Sequence, residues 1–388
     1  MLVVHPGAEL YGADRVLLES VTALADDFDV TVALPGPGPL VGALESVGVR
    51  VALCPMPVLR NAALRPRGAA RLLADGVRGL LPALRLLRRH GRAGVYVNTL
   101  TIPSWPLLAR VAGCPSLCHV HEAEQSAPRI LRRAMAVCPS LADRVVANSR
   151  FTLEVLADVA PRLRRRSTVV YNAVRGPARP VPARTELDGP LRLLYVGRLS
   201  PRKGPQVAVG ALKELLDRGV DARLDLLGSV FTGYEWFEAE LRQTVTDSGL
   251  DDRVRFLGFD PDVWSHLAAA DVVLVPSVGE ESFGNTAVEA VLAGRPLVVS
   301  DTSGLREAAA GYASAQAVAP GAPSDWADAV QRIAADWTTI RLRAAEDAVA
   351  ARDRHSSGRY RERLVAVVAG LSHGNVPAAE PDPTAVGS

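Results

Sequence analysis

Short apolar runs alternate with longer amphipathic stretches along most of the chain. In the first half the runs are LVVHP, DVTVALP, VRVALCP, GVYVNT, PSLCHVH, RVVANS and STVVYNAV. They are rich in β-branched residues and too short for helices, so they predict strands. Residues 13–25, 68–90 and 129–137 lie between them and predict helices. The second half repeats the pattern with LRLLYVG, ARLDLLG, VRFLGF, VVLVPS and PLVVSD. After Trp326 the chain reads as helical, with Ser356 and Ser357 placed to cap a last helix in GRYRERLVAVVAG. Near-continuous apolar strands separated by helices indicate a parallel sheet covered on both faces. Residues 176–190 are proline-rich and poor in apolar positions, and read as a linker. The expected class is therefore α/β, with two doubly wound Rossmann-like domains. A cleft is expected between facing strand ends, since ligands of open α/β sheets bind outside the carboxyl ends of the strands.

A chain of 388 residues agrees with two cores rather than one. The expected divisions are a first domain over 1–178, a second over 187–352, a last helix over 353–371, and a disordered tail over 372–388 that is rich in Pro, Ala and small polar residues. LVVHP opens the chain as a strand and not as a signal peptide, and no run reaches the roughly 18 apolar residues of a membrane span. A cytoplasmic protein is expected. Cys54, Cys114, Cys118 and Cys138 lie among apolar residues and do not form a disulfide framework. The spacing of Cys114, Cys118, His119 and His121 invites a metal site. Strand alternation sends neighbouring side chains to opposite faces, however, and no second ligand cluster follows, so no metal is expected.

Charge is divided unevenly. Residues 1–184 hold 24 basic and 13 acidic side chains, and residues 185–388 hold 20 and 29. A basic first half suits an anionic lipid surface, an anionic glycan or nucleic acid. Segments such as LRPRGAARLL, LRLLRRHGR and ILRRA mix arginine with leucine. They read either as solvated helix faces or as a patch for an anionic membrane. No aromatic-rich stacking platform accompanies them, and nucleic acid is not expected as a partner.

The chemistry concentrates in two segments of the second half. YVGRLSPRKG places Arg198 and Lys203 in the turn between an apolar run and a helix beginning near Gly204. The chain has only two lysines, Lys203 and Lys213, and the second reads as an exposed helix position. An arginine fork, a lysine point charge and free N–H groups at a helix start suit a diphosphate. EESFGNTAVEAVLAGRPLVVSD places Glu281 in a loop and Glu289 on the helix opened by Ser282, Phe283 and Gly284. The amides of Phe283, Gly284 and Asn285 are expected to face the cleft as donors. Cations for a diphosphate and carboxylates for sugar hydroxyls together suit a sugar nucleotide.

Both segments resemble the retaining glycosyltransferases of family 4, also called glycosyl transferases group 1. The specific string is E-x-F-G-x4-E-A-x3-G-x-P-x-V, which selects Glu281 over its neighbour Glu280. The resemblance is strongest from Leu191 to Glu307. It implies the GT-B fold, with the C-terminal helix crossing back to the first domain. It implies that Arg198 and Lys203 stabilise the departing diphosphate, that Glu281 contacts sugar hydroxyls and that Glu289 binds the ribose. Glu307 matches a glutamate that supports the site. A base pocket is implied at Leu257, Gly258 and Phe259, with Gly197, Ser282, Phe283, Gly284 and Asn285 lining the donor. In the first domain AELYGADRVLLE resembles the family's glycine-rich loop. Gly12 and Ala13 match it, which implies that they bind the donor, whereas Tyr11 replaces a glycine and Asp14 replaces a glutamate. His121, at the end of PSLCHVH, aligns with a histidine that points at the transferred sugar, and His119 faces the same side of the strand. Asn148, Ser149 and Asn172 are further family-like positions at strand ends.

The expected activity is retaining transfer of a sugar from a UDP- or GDP-sugar to a lipid-linked, polysaccharide or small-molecule acceptor, without a divalent metal or other cofactor. A GT-B epimerase or phosphorylase and a non-catalytic sugar-nucleotide-binding protein are the rivals. A dinucleotide oxidoreductase is disfavoured because no G-x-G-x-x-G follows the first strand.

Overall fold

The computed structural model describes residues 1–9, 12–59 and 66–373. They form two compact units. The first comprises Met1–Ala173 and the C-terminal helix Ser357–His373, and the second comprises Val174–Ser356.

Among the described residues the first unit has a seven-stranded sheet. Its strands are β1 (Leu2–Val4), β2 (Thr31–Leu34), β3 (Arg50–Leu53), β4 (Val95–Val97), β5 (Ser116–Val120), β6 (Arg144–Ala147) and β7 (Ser167–Val169), in the order β3-β2-β1-β4-β5-β6-β7. All neighbours are parallel. Leu2, Val3 and Val4 are all fully buried, because β1 is covered on both faces. Val3 packs with Leu17, Val21 and Val32 on one side. Leu2 and Val4 pack with Val95, Val97 and Trp105 on the other.

The C-terminal helix belongs to the first of these cores. Tyr360, Leu364, Val367 and Val368 recur at helical spacing and are buried against Leu17 and Val21. The Tyr360 hydroxyl lies 2.6 Å from Ser20 Oγ on helix Gly12–Ala25.

The second unit repeats the plan. Its strands are β8 (Leu191–Val196), β9 (Ala222–Leu227), β10 (Val254–Gly258), β11 (Val272–Val275), β12 (Leu297–Ser300) and β13 (Ala315–Val318), in the order β10-β9-β8-β11-β12-β13. These pairs too are parallel. In both sheets the chain reverses its direction of travel next to the first strand, between β1 and β4 and between β8 and β11. Loops leaving strands at such a reversal diverge and open a crevice for ligands.

Several elements differ from the expectation. β13 was not anticipated: its run, AQAV, has one buried residue, Val318, so no apolar signal marks it. The helix expected over 129–137 is two, Arg129–Met135 and Val137–Leu141, with Pro139 in the first turn of the second, where no helical N–H is missed. The chain enters the second unit at Val174, and helix Trp337–Arg354 runs past the division expected at 352. The tail expected over 372–388 lies, from residue 374 onward, outside the described residues.

Residues 176–190 are not a free linker, because they are strapped to the second unit. The fully buried Arg295 donates to the carbonyl of Val181 at 2.9 Å, and to those of Leu267 and Ala268 at 2.9 and 2.8 Å. Arg184 grips Asp271 through two bonds of 2.7 and 2.6 Å. Trp337 Nε1 donates to the Arg184 carbonyl at 3.0 Å. No helix among the described residues is long and apolar enough to cross a membrane.

Candidate active site

The reversal of the second sheet gathers the charged residues singled out in the sequence. Gly197 follows β8, and its N–H continues the ladder to the Leu227 carbonyl at 3.0 Å. Arg198 comes next and is exposed. Its carbonyl accepts from the Tyr195 hydroxyl at 2.7 Å. Its guanidinium lies 3.3 Å from the ring centre of Phe231, in the loop after β9. An aromatic face of this kind orients an arginine without neutralising it.

A short turn, Pro201–Lys203, leads to Gly204 and helix Pro205–Asp217. Gly204 has a φ of +73°, and a Cβ there would stand 1.8 Å from the carbonyl oxygen of Pro276. Only glycine lets the loops after β8 and β11 cross this closely. The crossing is sealed by Val278 and Gly279, whose N–H groups both donate to the Arg202 carbonyl at 2.9 Å.

The result is a contact between the two motifs. Lys203 Nζ lies 2.8 Å from Glu281 Oε1. Ser277 Oγ donates to the same oxygen at 3.0 Å, and an Arg202 nitrogen stands 3.8 Å away. The main chain of Glu281 is clamped as well: its N–H donates to Ser303 Oγ at 2.8 Å, and its carbonyl accepts from Gly304 N–H at 2.9 Å. Glu281 is thus a buried carboxylate held by the loops after β8, β11 and β12. Burial of this kind demands such pairing.

From Glu281 the chain runs through half-buried Ser282 to Gly284, whose φ is +121°, and into helix Asn285–Leu292, which carries half-buried Glu289. The ring of Phe283 is buried, 5.9 Å from that of His355, so this residue offers the site its backbone and not its side chain. Gly258 ends the edge strand β10, one strand removed from β8, and its carbonyl accepts from Gly228 N–H at 2.8 Å. Phe259 beside it is 64% exposed. Glu307 is buried on helix Ser303–Ala309.

In the first unit the strand ends around the reversal carry a polar cluster. His121 follows β5, and its Nε2 bonds Asn98 Oδ1 at 2.9 Å. Burial, with a smaller contribution from His5 in the same direction, pushes the His121 pKa down to about 3, so its ring is neutral at pH 7. His119 is fully buried and bonds the Tyr96 hydroxyl, which in turn donates to Ser20. The two rings are 4.0 Å apart, but His119 belongs to the core network and His121 to the strand end. Glu122, not anticipated, accepts from Thr99 Oγ1 at 2.5 Å and from the His121 N–H at 3.1 Å. Burial pushes its pKa up.

Gly12 and Ala13 stand in the first turn of helix Gly12–Ala25, and Tyr11 lies outside the described residues. Ser149 Oγ accepts from Thr152 N–H at 2.9 Å and caps helix Arg150–Val159. Asn148 Oδ1 accepts from the Thr152 hydroxyl at 2.8 Å, so both serve the helix start. Asn172 is buried at the end of the first unit. All four cysteines are free and buried. Among the described residues no group of three or more His, Cys, Asp or Glu side chains is arranged to hold a metal.

Residues 190–336 match the family model of Glycosyl transferases group 1, and residues 11–175 match that of Glycosyltransferase Family 4. The 2-deoxystreptamine glucosyltransferase of Streptomyces kanamyceticus is 30% identical over 337 residues, 79% of this chain and 84% of that protein. The chain belongs to the family 4, group 1 glycosyltransferases. A second member, the D-inositol 3-phosphate glycosyltransferase of Nocardia farcinica, is 30% identical over 320 residues, 78% of this chain and 68% of that one. HepE of Anabaena, solved with UDP and glucose, is 21% identical with a TM-score of 0.78 over 95% of this chain and 98% of that one. The fold is that of the GT-B glycosyltransferases, with two Rossmann-like units.

Proposed function

We propose that this glycosyltransferase moves a hexosyl group from a UDP- or GDP-sugar to an acceptor hydroxyl with retention and without a divalent metal. The observation that carries the reading is the 2.8 Å contact of Lys203 with Glu281, on loops at one sheet reversal, with Arg198 on the same loop. The site thereby offers cations for a diphosphate beside carboxylates for a sugar. HepE, which shares the fold, was solved with UDP and glucose, in keeping with a nucleotide-sugar donor.

In this reading the second unit takes the donor. Arg198, Lys203 and the N-terminal amides of helices Pro205–Asp217 and Asn285–Leu292 carry the charge of the departing diphosphate. Glu281 receives sugar hydroxyls and Glu289 the ribose. Backbone groups of Gly197, Gly258, Phe259, Ser282, Phe283, Gly284 and Asn285 border the phosphates and base. The first unit takes the acceptor, with Gly12 and Ala13 binding the donor and His121 toward the transferred sugar. The acceptor oxygen bonds to the anomeric carbon on the face the diphosphate leaves, the bond to the diphosphate breaks, and a donor phosphate oxygen takes the acceptor proton.

The test is transfer from UDP- and GDP-sugars in the presence of a chelator, with the anomeric configuration of the product read by NMR. Retention with full activity is expected. Activity lost on chelation and restored by magnesium, or an inverted product, would contradict the proposal. Released sugar phosphate would indicate a phosphorylase, and donor epimerised without acceptor an epimerase.

An anionic membrane surface is the proposed partner of the first unit. On helix Pro66–His90, Leu73, Val77 and Leu81 are 70%, 78% and 62% exposed. Exposed Arg67, Arg71, Arg78, Arg85 and Arg89 form a stripe beside them. An apolar stripe flanked by cations suits the boundary between headgroups and acyl chains. Binding to phosphatidylglycerol vesicles at low salt is expected, with none to phosphatidylcholine, and Leu73→Ser/Val77→Ser/Leu81→Ser should abolish it. Equal binding by the triple variant would remove this surface from consideration.

A further inference from the structure

Four polar side chains of the first unit form one hydrogen-bonded line at the ends of β1, β4 and β5. His5 Nε2 lies 2.7 Å from Asp14 Oδ1. Asn98 Nδ2 lies 3.0 Å from His5 Nδ1. His121 Nε2 lies 2.9 Å from Asn98 Oδ1. Asp14, His5 and Asn98 are 6%, 2% and 1% exposed, so water does not compete for these bonds. The main chain holds the line in place: His5 N–H donates to Ala33 at 3.1 Å and Asn98 N–H to Val4 at 2.9 Å.

The line has one consistent direction. A carboxylate accepts only, so His5 carries its proton on Nε2 and presents a lone pair at Nδ1. That lone pair takes an N–H from the Asn98 amide, which must then turn its oxygen to His121. An amide oxygen accepts only, so the His121 proton is on Nε2. Reversing the amide would require a hydrogen on His5 Nδ1.

We propose that Asp14, acting through His5 and Asn98, is a positioning residue that fixes the proton of His121 on Nε2 and leaves Nδ1 as a hydrogen-bond acceptor. The proposal deepens the role given above to His121 and rests on it for its catalytic consequence. His121 Nδ1 is buried with no hydrogen-bond partner among the described residues. In the adjoining ring His119 Nε2 is likewise without one. The end of the line therefore lacks a donor, and a substrate hydroxyl is its chemical complement. His121 then orients a hydroxyl by accepting from it and does not act as a general acid. The line also assigns a task to the aspartate that stands where the family's loop commonly has glutamate.

The test is a nitrogen–proton correlation spectrum of the full-length protein labelled with 15N-histidine, without substrate. His121→Asn identifies the signal. His121 should show the Nε2–H tautomer and remain neutral between about pH 6 and 8. Asp14→Leu and Asn98→Leu should each give a mixture of tautomers and lower kcat by up to about a hundredfold, with the donor KM unchanged. Asp14→Glu, which keeps an accept-only carboxylate for His5, should retain the single tautomer. A wild-type His121 protonated on Nδ1 would overturn the proposal even if every variant failed to fold. So would an unchanged tautomer in folded Asp14→Leu and Asn98→Leu. A protein that shows the tautomer but transfers no sugar would contradict the proposed function and leave the relay standing.

Discussion

Lys203 and Glu281 show what single residues contribute here. Each alone is an ordinary surface charge in the sequence. Together they form an ion pair that Gly204 permits, because no other residue lets the two loops approach. Polar residues closing apolar runs were the legible signal for Arg198, Glu281 and His121. The same signal marks His5 in LVVHP and Asn98 in GVYVNT, which were passed over. Phe231 and Ser303 were not legible, since their partners, Arg198 and Glu281, sit on other loops and only the folded sheet brings them together. A pH dependence belongs to this scale. The folded-state pKa of His121 is pushed down to about 3 from the ordinary 6.5. Between these values the unfolded chain takes a proton that the folded protein refuses. Stability therefore falls as pH drops below 6.5, by about 1.4 kcal/mol per pH unit for one such group, and levels off below the folded value. His119 acts with the same sign and Glu122, whose pKa is raised, with the opposite one. Denaturant midpoints of wild type and His121→Gln between pH 6 and 5 should show a shallower slope in the variant. Equal slopes would mean that His121 protonates freely in the folded protein.

Most elements were legible because parallel strands buried on both faces cannot hide their apolar runs. β13 escaped for the opposite reason, being a half-exposed edge of small residues. The segment 176–190 was misread because proline content speaks to local conformation and not to side-chain anchoring. Its anchors are Arg184 and Arg295, whose partners lie near residues 181 and 267–271. The side chain of Asp271 is 2% exposed, so removing Arg184 strands a buried carboxylate. Arg184→Ala should cost about 3 kcal/mol of unfolding free energy in urea. A loss below about 0.5 kcal/mol would return this segment to the status of a loose connector.

At the scale of the whole molecule, two units of one plan divide a chain whose charge is divided as well. The last helix returns to the first unit and buries Tyr360, Leu364, Val367 and Val368 in its core. A helical pattern was readable there, but its destination depended on the family resemblance and not on periodicity. The central claim is that the reversal of the second sheet binds a nucleoside diphosphate through Arg198 and Lys203. Thermal melting with UDP, GDP, TDP and NAD, on wild type and Arg198→Ala, tests it most directly. A ligand that binds only the folded state at about a hundred times its Kd adds about 2.7 kcal/mol, or a rise of roughly 5 °C or more in Tm. One nucleoside diphosphate should give this rise in wild type and lose it in the variant, with no response to NAD. No response to any diphosphate, or a response to NAD alone, would contradict the claim.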